Sequence, residues 1–460
     1  MRPVATAAEM RAADKATSAL GLPSIALMEL AAHEVVARWR ALGAAEPVTV
    51  LTGPGQNGGD GWAIARRLHL SGATVAVWPG SDPGSGDASL MASVAQAAGV
   101  PVVKAPHPTG WIVDAAFGTG LSRDLDAAWI ERFEACRGRK VLAVDLPSGL
   151  CSETGRVRGA ALRATATVTF GAFKRGLVCG AGPDLAGDVI VADIGLGRFP
   201  TAAKTPEFGD LTWPRRVDDA HKGAHVAVWA GSDAMAGAAA LCCRAALVAG
   251  AGLVTLVWAG QRSALRALPP EVMVADTLPL KRPAAAWAVG PGLGQLSPTA
   301  VQAMVSLWTS APEPIVADAD ALTHVAWLPG QGPRVITPHA GEAARLLGVG
   351  SEDVDQDRFG AVARLGPAST VSLLKGRHTL IRSTEGIAVV RKGHPCLATG
   401  GSGDVLTGLI GGLLARGVPA ALAALLAADA AAAAGERLGV RKAEGWRASD
   451  ILKAIQTGLP

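Results

Sequence analysis

Ala398-Thr399-Gly400-Gly401-Ser402-Gly403-Asp404-Val405-Leu406-Thr407-Gly408 carries a glycine-rich turn straight into an apolar helical run, Val405–Leu414. The backbone N–H groups of Gly401, Ser402 and Gly403 are expected to aim at one spot, reinforced by the helix dipole. Such a spot is a preorganised hole for the charge of a phosphoryl group in transfer. Asp404, in the first helical turn, stands beside it and can accept a proton from a hydroxyl. An aspartate there is often only a helix cap. The flanking glycines, which cost helix stability, argue for a ligand instead.

Outward from this element, strand-like and helical runs alternate. Val226–Ala230, Leu253–Trp258, Ile315–Asp318, Arg334–Thr337, Val371–Leu374 and Thr379–Arg382 read as strands in the second half. Val48–Thr52, Thr74–Trp78, Val141–Leu146, Thr165–Phe170 and Val189–Ile194 do so in the first, with helical segments such as Trp62–Leu70 and Ser89–Ala98 between them. This alternation implies parallel sheets covered on both faces. A chain of 460 residues suits two domains of about 200 residues each. The prolines and mixed polar residues of Gly197–Asp219 mark the boundary. The expected architecture is α/β, with two three-layer αβα domains spanning residues 1–205 and 219–460 and a linker at 206–218. No short-period repeat points to a solenoid.

In the first half, Gly53-Pro54-Gly55-Gln56-Asn57-Gly58-Gly59-Asp60-Gly61 joins a strand to a helix, with five glycines in nine residues. Close backbone approach and positive φ become available, and the following helix offers N–H groups to a phosphate. No Gly-Lys-Ser/Thr ends the loop, so it is not a Walker loop, and Asn57 and Asp60 depart from the dinucleotide fingerprint. Two further strand-end loops carry Asp114 before Gly118-Thr119-Gly120-Leu121, and Asp145 before Ser148. Strand carboxyl ends meet at one rim of a parallel sheet, so Asn57, Asp60, Asp114, Asp145 and Ser148 are expected to converge. Amide, carboxylate and hydroxyl oxygens suit a hard cation.

Composition narrows the possibilities. Apolar residues make up 49% and charged residues 18% of the chain, enough to build cores. The net charge is +4 without a dense basic block, which disfavours nucleic acid as a partner. Six cysteines without a CxxC pair fit a reducing cytosol rather than a disulfide scaffold. Met1–Asp14 holds Glu9, Arg11 and Asp14 and is not a secretory signal, so a cytoplasmic location is expected. Val226–Gly260 contains Asp233 and Arg244, and Val418–Gly435 is alanine-rich around Asp429; both read as buried helices and strands rather than membrane spans. His221 and His225 lack the glutamate of a zinc helix. Alanine-rich helices and apolar sheets suggest a homo-oligomer.

The motifs GPGxNGGDG, DxxFGTGL, AVDxPSGL and Thr165-Ala166-Thr167-Val168-Thr169-Phe170-Gly171-Ala172-Phe173-Lys174-Arg175-Gly176 resemble the NAD(P)H-hydrate epimerase domain. That resemblance implies interconversion of the R and S epimers of hydrated NADH or NADPH. It also implies potassium at Asn57, Asp114 and Ser148, and contacts to the hydrate from Gln56, Asn57, Gly58, Gly59, Asp60, Gly118, Thr119, Gly120, Leu121, Ser122, Arg123, Asp124 and Asp145. Gln56 stands where asparagine is common in the family. Asp145 is the expected acid/base group, because moving a hydroxyl between faces needs proton transfer.

The GGSGD element resembles the ribokinase-like superfamily. Gly290-Pro291-Gly292-Leu293-Gly294, Asp318-Ala319-Asp320-Ala321-Leu322, Thr337-Pro338-His339-Ala340-Gly341-Glu342 and Leu374-Lys375-Gly376-Arg377-His378-Thr379 narrow the similarity to the ADP/ATP-dependent NAD(P)H-hydrate dehydratase. The implied reaction phosphorylates the C6 hydroxyl and then expels phosphate. Ala238, Gly292, His339 and Asp404 would contact the hydrate. Lys375, Gly376, Arg377, His378, Thr379 and Gly403 would contact ADP or ATP, carried with Mg2+. Gly393-His394-Pro395-Cys396-Leu397 departs from the family's more common Gly-Asn-Pro-Gly-Met. The competing reading is a vitamin kinase fused to a non-catalytic nucleotide-binding module.

Overall fold

The computed structural model describes residues 1–197, 199–207, 210–214, 224–442 and 444–459. Parts of the expected linker (208–209 and 215–218), the expected domain start at 219, and His221 lie outside the described residues. The chain divides into two compact units, Arg2–Ala203 and the remainder from Lys204, to which Met1 is also assigned.

In the first unit, six parallel strands form one sheet: β1 (Val48–Thr52), β2 (Val75–Pro79), β3 (Trp111–Ala115), β4 (Val141–Val144), β5 (Ala166–Phe170) and β6 (Asp188–Ala192), in the order β2-β1-β3-β4-β5-β6. Every residue of β1, β3, β4 and β5 is buried, as a sheet covered on both faces requires. Alternate side chains feed two separate cores. Val113, Ala115, Leu142 and Val144 pack in one with the helices α1 (Ala7–Ala19), α2 (Ser24–Ala41), α3 (Gln56–Leu70) and α4 (Asp87–Ala97). Ile112 and Val141 pack in the other with α5 (Ala127–Ala135). This is the expected three-layer αβα arrangement, Rossmann-like in layout.

Two details differ from expectation. Asp114 lies inside β3 rather than at its end. The strand expected to reach Leu146 stops at Val144, because Asp145 takes a left-handed φ of 69°. A short parallel pairing also ties Arg2–Ala5 to Phe173–Lys174, setting Ala5 opposite Lys174.

The loop between β1 and α3 is built on close approach. A Cβ at Gly58 would lie 1.9 Å from Gly53 O, and one at Gly53 would lie 2.0 Å from Ala116 O. Gly58→Ala therefore forces backbone apart and is expected to destabilise this unit by about 1–3 kcal/mol despite better helix propensity. Thermal unfolding reads the effect; an unchanged midpoint would refute the close packing.

The sheet of the second unit includes β7 (His225–Trp229), β8 (Leu253–Val257), β9 (Val272–Ala275), β10 (Ala286–Val289), β11 (Ile315–Ala317), β12 (Arg334–Ile336), β13 (Val371–Leu374), β14 (Thr379–Ser383) and β15 (Gly386–Val390). Their order is β9-β8-β7-β10-β11-β12-β13-β14-β15. The strands from β9 to β13 are parallel, whereas β14 and β15 turn back antiparallel. The expectation of uniformly parallel pairing therefore fails at this edge. Its cause is a short hairpin turn, with Gly376 at φ 142° and His378 at φ 53°, which leaves no room for a crossover helix.

Helices α6 (Ala236–Val248) and α7 (Ser402–Ala415) pack together. Cβ atoms at Gly408 or Gly412 would fall 2.1 Å from Cys242 O or 2.6 Å from Ala249 Cβ. Small residues thus let two alanine- and glycine-rich helices approach closely. Every residue of α7 from Val405 onward is buried. The two apolar stretches weighed as membrane spans fold as β7–α6–β8 and as part of α8 (Ala420–Arg441), where Ala423–Ala428 is buried. Among the described residues no single helix is long and apolar enough to cross a membrane.

Candidate functional sites

In the first unit the chain leaves β1 toward β2 on one side and returns to β3 on the other, so the loops after β1 and β3 diverge at a topological switch point. A cavity of about 630 Å3 opens there. Its lining includes the expected Gln56, Asn57, Asp60, Gly118, Thr119, Gly120, Leu121, Ser122, Arg123 and Asp145. Three expected residues do not line it. Gly58 and Gly59 are buried in packing, Gly59 against Met28 and Ala88. Asp124 is largely exposed and lies 3.8 Å from Arg158.

Asp145 Oδ1 accepts from Lys174 Nζ at 2.6 Å and from Thr169 Oγ1 at 3.1 Å. The ammonium, only 1% exposed, also donates to Phe170 O at 2.8 Å. Burial, then the neighbouring Asp145 and Asp14, push the Asp60 carboxyl well above its ordinary range. Partial desolvation at the cavity wall also raises Asp14, which is otherwise solvent-exposed, against the pull of Lys174. Asp14 and Lys174 both line the cavity, and neither was given a role from sequence. Lys174 could have been suspected: a lysine directly after the apolar run Phe170–Phe173 needs an anionic partner if it is buried.

Beneath the cavity, Asp114 accepts from Ser148 Oγ at 2.6 Å and from Ser148 N at 2.7 Å. Ser148 Oγ in turn accepts from Phe117 N. Asp114 is fully buried with no ion pair among the described residues, and burial pushes its carboxyl up to about 6. Asn57 approaches the same loop: a methyl group at Gly118 would lie 3.3 Å from Asn57 Oδ1 and 3.2 Å from Asp145 Oδ2. Its buried Nδ2 has no hydrogen-bond partner among the described residues. A buried carboxylate without an ion-pair partner among the described residues, beside hydroxyl and amide groups, fits a hard cation.

In the second unit the switch point lies between β7 and β10. Here Gly231 N donates to Pro291 O and Ser232 Oγ to Gly292 O, and Gly292 (φ 65°) lies so close to Ala238 that a Cβ would sit 2.8 Å from Ala238 Cβ. Next to these residues, Gly294 N donates to Asp320. The loops after β11, β12 and β13 deliver Asp318, His339 and Lys375 to the same rim. Lys375 Nζ lies 2.6 Å from Asp318 Oδ1 and 3.7 Å from Glu342 Oε2. Thr407 Oγ1 donates to Asp318 Oδ2 at 2.9 Å. A Cβ at Gly403 would meet Asp318 Oδ2 and Lys375 Nζ, each at 3.3 Å.

Asp404 occupies the first turn of α7, behind Gly401 at φ 91°. Burial, then Asp318, raise its carboxyl to about 6 against the opposing pull of Lys375. Burial lowers the Lys375 ammonium, but Asp318 and Glu342 outweigh this and hold it above its ordinary value. The expected trio of amides needs one correction, because Ser402 N is turned back onto Thr399 O. Gly403 N and Asp404 N have no acceptor among the described residues, so the hole moves one step along the helix.

His339 caps the helix Ala340–Leu347. Its Nδ1 accepts from Gly341 N and Glu342 N, and Nε2, on a half-exposed ring, lies 3.5 Å from Glu342 Oε1. Gly376, Arg377 and His378 form the β13–β14 turn and Thr379 opens β14; Gly376 and Arg377 are exposed. Asp318, Glu342 and Thr407 lie in motifs visible in the sequence, yet only the fold reveals their contacts.

Fold and sites define a two-domain α/β enzyme, with a carboxylate-lined pocket in one domain and an acid beside free helix-terminal amides in the other. Residues 226–457 match the family described as NAD(P)H-hydrate dehydratase, and residues 24–176 match the family described as YjeF-related protein N-terminus. The bifunctional NAD(P)H-hydrate repair enzyme Nnr of Coxiella burnetii is 37% identical over 90% of this chain and 90% of its own length. Its namesake from Moorella thermoacetica is 37% identical over 97% and 94%. The ADP/ATP-dependent NAD(P)H-hydrate dehydratase of Bacillus subtilis, crystallised with ATP and Mg2+, is 30% identical over 54% of this chain and 93% of that one, with a TM-score of 0.48. The chain belongs to the bifunctional NAD(P)H-hydrate repair enzymes.

Proposed function

We propose that residues 1–205 interconvert the R and S epimers of hydrated NADH or NADPH, and that residues 219–460 dehydrate the S epimer at the expense of ADP or ATP. The observation that carries this reading is Asp404: a largely buried carboxyl of raised proton affinity beside the free N–H groups of Gly403 and Asp404. Asp404 takes the proton of the C6 hydroxyl as that oxygen attacks the terminal phosphorus. The helix N-terminus and Lys375 hold the charge on the migrating phosphoryl group. Phosphate then leaves C6 far more readily than hydroxide would, and loss of a proton from C5 forms the C5=C6 bond that restores the dihydropyridine.

Ala238, Gly292 and His339 line the hydrate side of Asp404. Lys375, Gly376, Arg377, His378, Thr379 and Gly403 form the nucleotide side, where Mg2+ arrives with the phosphates. In the first domain Gln56, Asn57, Asp60, the Gly118–Arg123 loop and Asp145 hold the hydrate. Asn57, Asp114 and Ser148 hold potassium, whose charge offsets the buried Asp114 carboxylate and steadies the loop under the substrate. A cytoplasmic homo-oligomer completes the proposal.

The test mixes both epimers with ADP or ATP and Mg2+ and follows the near-ultraviolet absorbance of the reduced ring together with free phosphate. Full recovery of cofactor with equal phosphate release is expected. A stable phosphorylated product would identify a simple kinase instead, and arrest at one epimer's share would remove the epimerase.

A further inference from the structure

We infer that Asp60 and Asp14 form the acid/base pair that moves the proton in epimerisation, while Asp145 is engaged in its ion pair with Lys174. This rests on the epimerase reading above and goes beyond it by reassigning the proton. Asp145 is bound to a buried ammonium at 2.6 Å and to Thr169 Oγ1, and its backbone is held at a left-handed φ, so protonating it would break a closed ion pair. Asp60 and Asp14 line the same cavity from two different helices, α3 and α1, and neither has a hydrogen-bond or ion-pair partner among the described residues. Asp60 stands in a negative neighbourhood that favours its protonated form. Lys174, Arg11 and Arg123 are the cations on the cavity wall. On the elements packed against α3, Glu29 of α2 is taken by Arg66 and Arg67, and Asp87 of α4 by Ser24.

C6 of the hydrate bears a hydroxyl and is bonded to the ring nitrogen N1. One carboxylic acid of the pair gives its proton to the hydroxyl oxygen. The C6–O bond breaks, the N1 lone pair forms N1=C6, and water departs. Water then attacks C6 from the other face, the N1=C6 pair returns to nitrogen, and the second carboxylate takes the surplus proton. The reverse direction exchanges the two roles, so an epimerase needs two carboxyls, one protonated and one ionised. The transient cation is formed in the cavity that Asp145 also lines, where a carboxylate stabilises positive charge.

The experiment measures R/S interconversion above the uncatalysed rate in the full chain, across pH. Asp60→Asn and Asp14→Asn are each expected to lower it by about 10²–10⁴-fold, while the same samples consume the S epimer with ADP or ATP at an unchanged rate. The wild type should show a bell-shaped pH profile, and Asp60→Glu should retain that bell at reduced height, which a merely structural role would not produce. Either Asn variant epimerising at wild-type speed would overturn the assignment. So would a profile whose limbs disappear only in Asp145→Asn. A wild type that does not accelerate interconversion would instead refute the epimerase reading itself.

Discussion

Asp404→Asn is expected to cut dehydration by about 10²–10⁴-fold, the range typical of losing a positioned proton acceptor, and at the same time to make the second domain more stable. The carboxyl is raised from its ordinary 3.8 to about 6, first by burial and then by Asp318. The folded state therefore binds this proton more tightly than the unfolded chain. Stability is lost as pH rises from about 4 to about 6, and at neutral pH the ionised group costs up to about 3 kcal/mol. An amide of the same shape removes that cost. Loss of turnover with a higher melting temperature at pH 7 is the expected pair of results, and the melting difference should vanish below pH 4. In the wild type the same group makes dehydration fall as pH drops through about 6, because only the carboxylate can accept the hydroxyl proton. A destabilised Asn variant, or a flat rate between pH 5 and 8, would contradict this account.

Lys375→Met is expected to be the most damaging single change to the second domain. The ammonium is 2.6 Å from Asp318, whose side chain is only 2% exposed. Without it, Asp318 keeps just the hydroxyl of Thr407 as a compensating donor among the described residues. Breaking a buried pair from one side typically costs about 3–5 kcal/mol. Activity should fall as well, since no other side-chain cation stands within 4 Å of Asp318 among the described residues. The double variant Lys375→Met/Asp318→Asn separates the two effects: denaturant midpoints should recover most of the stability, while dehydration stays lost. If the double variant were as unstable as the single one, the buried charge would not be the cause.

Much of the architecture could be read from the residues. β-branched runs separated by alanine-rich helices place nearly every parallel strand within one or two positions, because burial on both faces demands an unbroken apolar run. Strands Val272–Ala275 and Ala286–Val289 escaped notice. Ala-Trp-Ala-Val contains one β-branched residue, and it becomes a strand only because β7 and β11 flank it. The antiparallel edge was equally hidden, since a hairpin and a crossover differ in turn length rather than in strand composition. At the sites, the glycine motifs announced where backbone comes close, yet they did not separate ligand contact from packing. Gly58 and Gly59 serve packing, while Gly55 and Gly118 border the cavity.

Local chemistry along the chain was enough to mark the switch-point loops, the acid at a helix start and the family to which both halves belong, since each is written in a contiguous stretch of residues. Which charge answers which was settled by folding. Lys174 meets Asp145 across 29 positions and Lys375 meets Asp318 across 57, and Asp14 arrives from a helix far from either. Pairings of that kind depend on strand order and helix placement, and these arise from the burial of two cores rather than from any short motif.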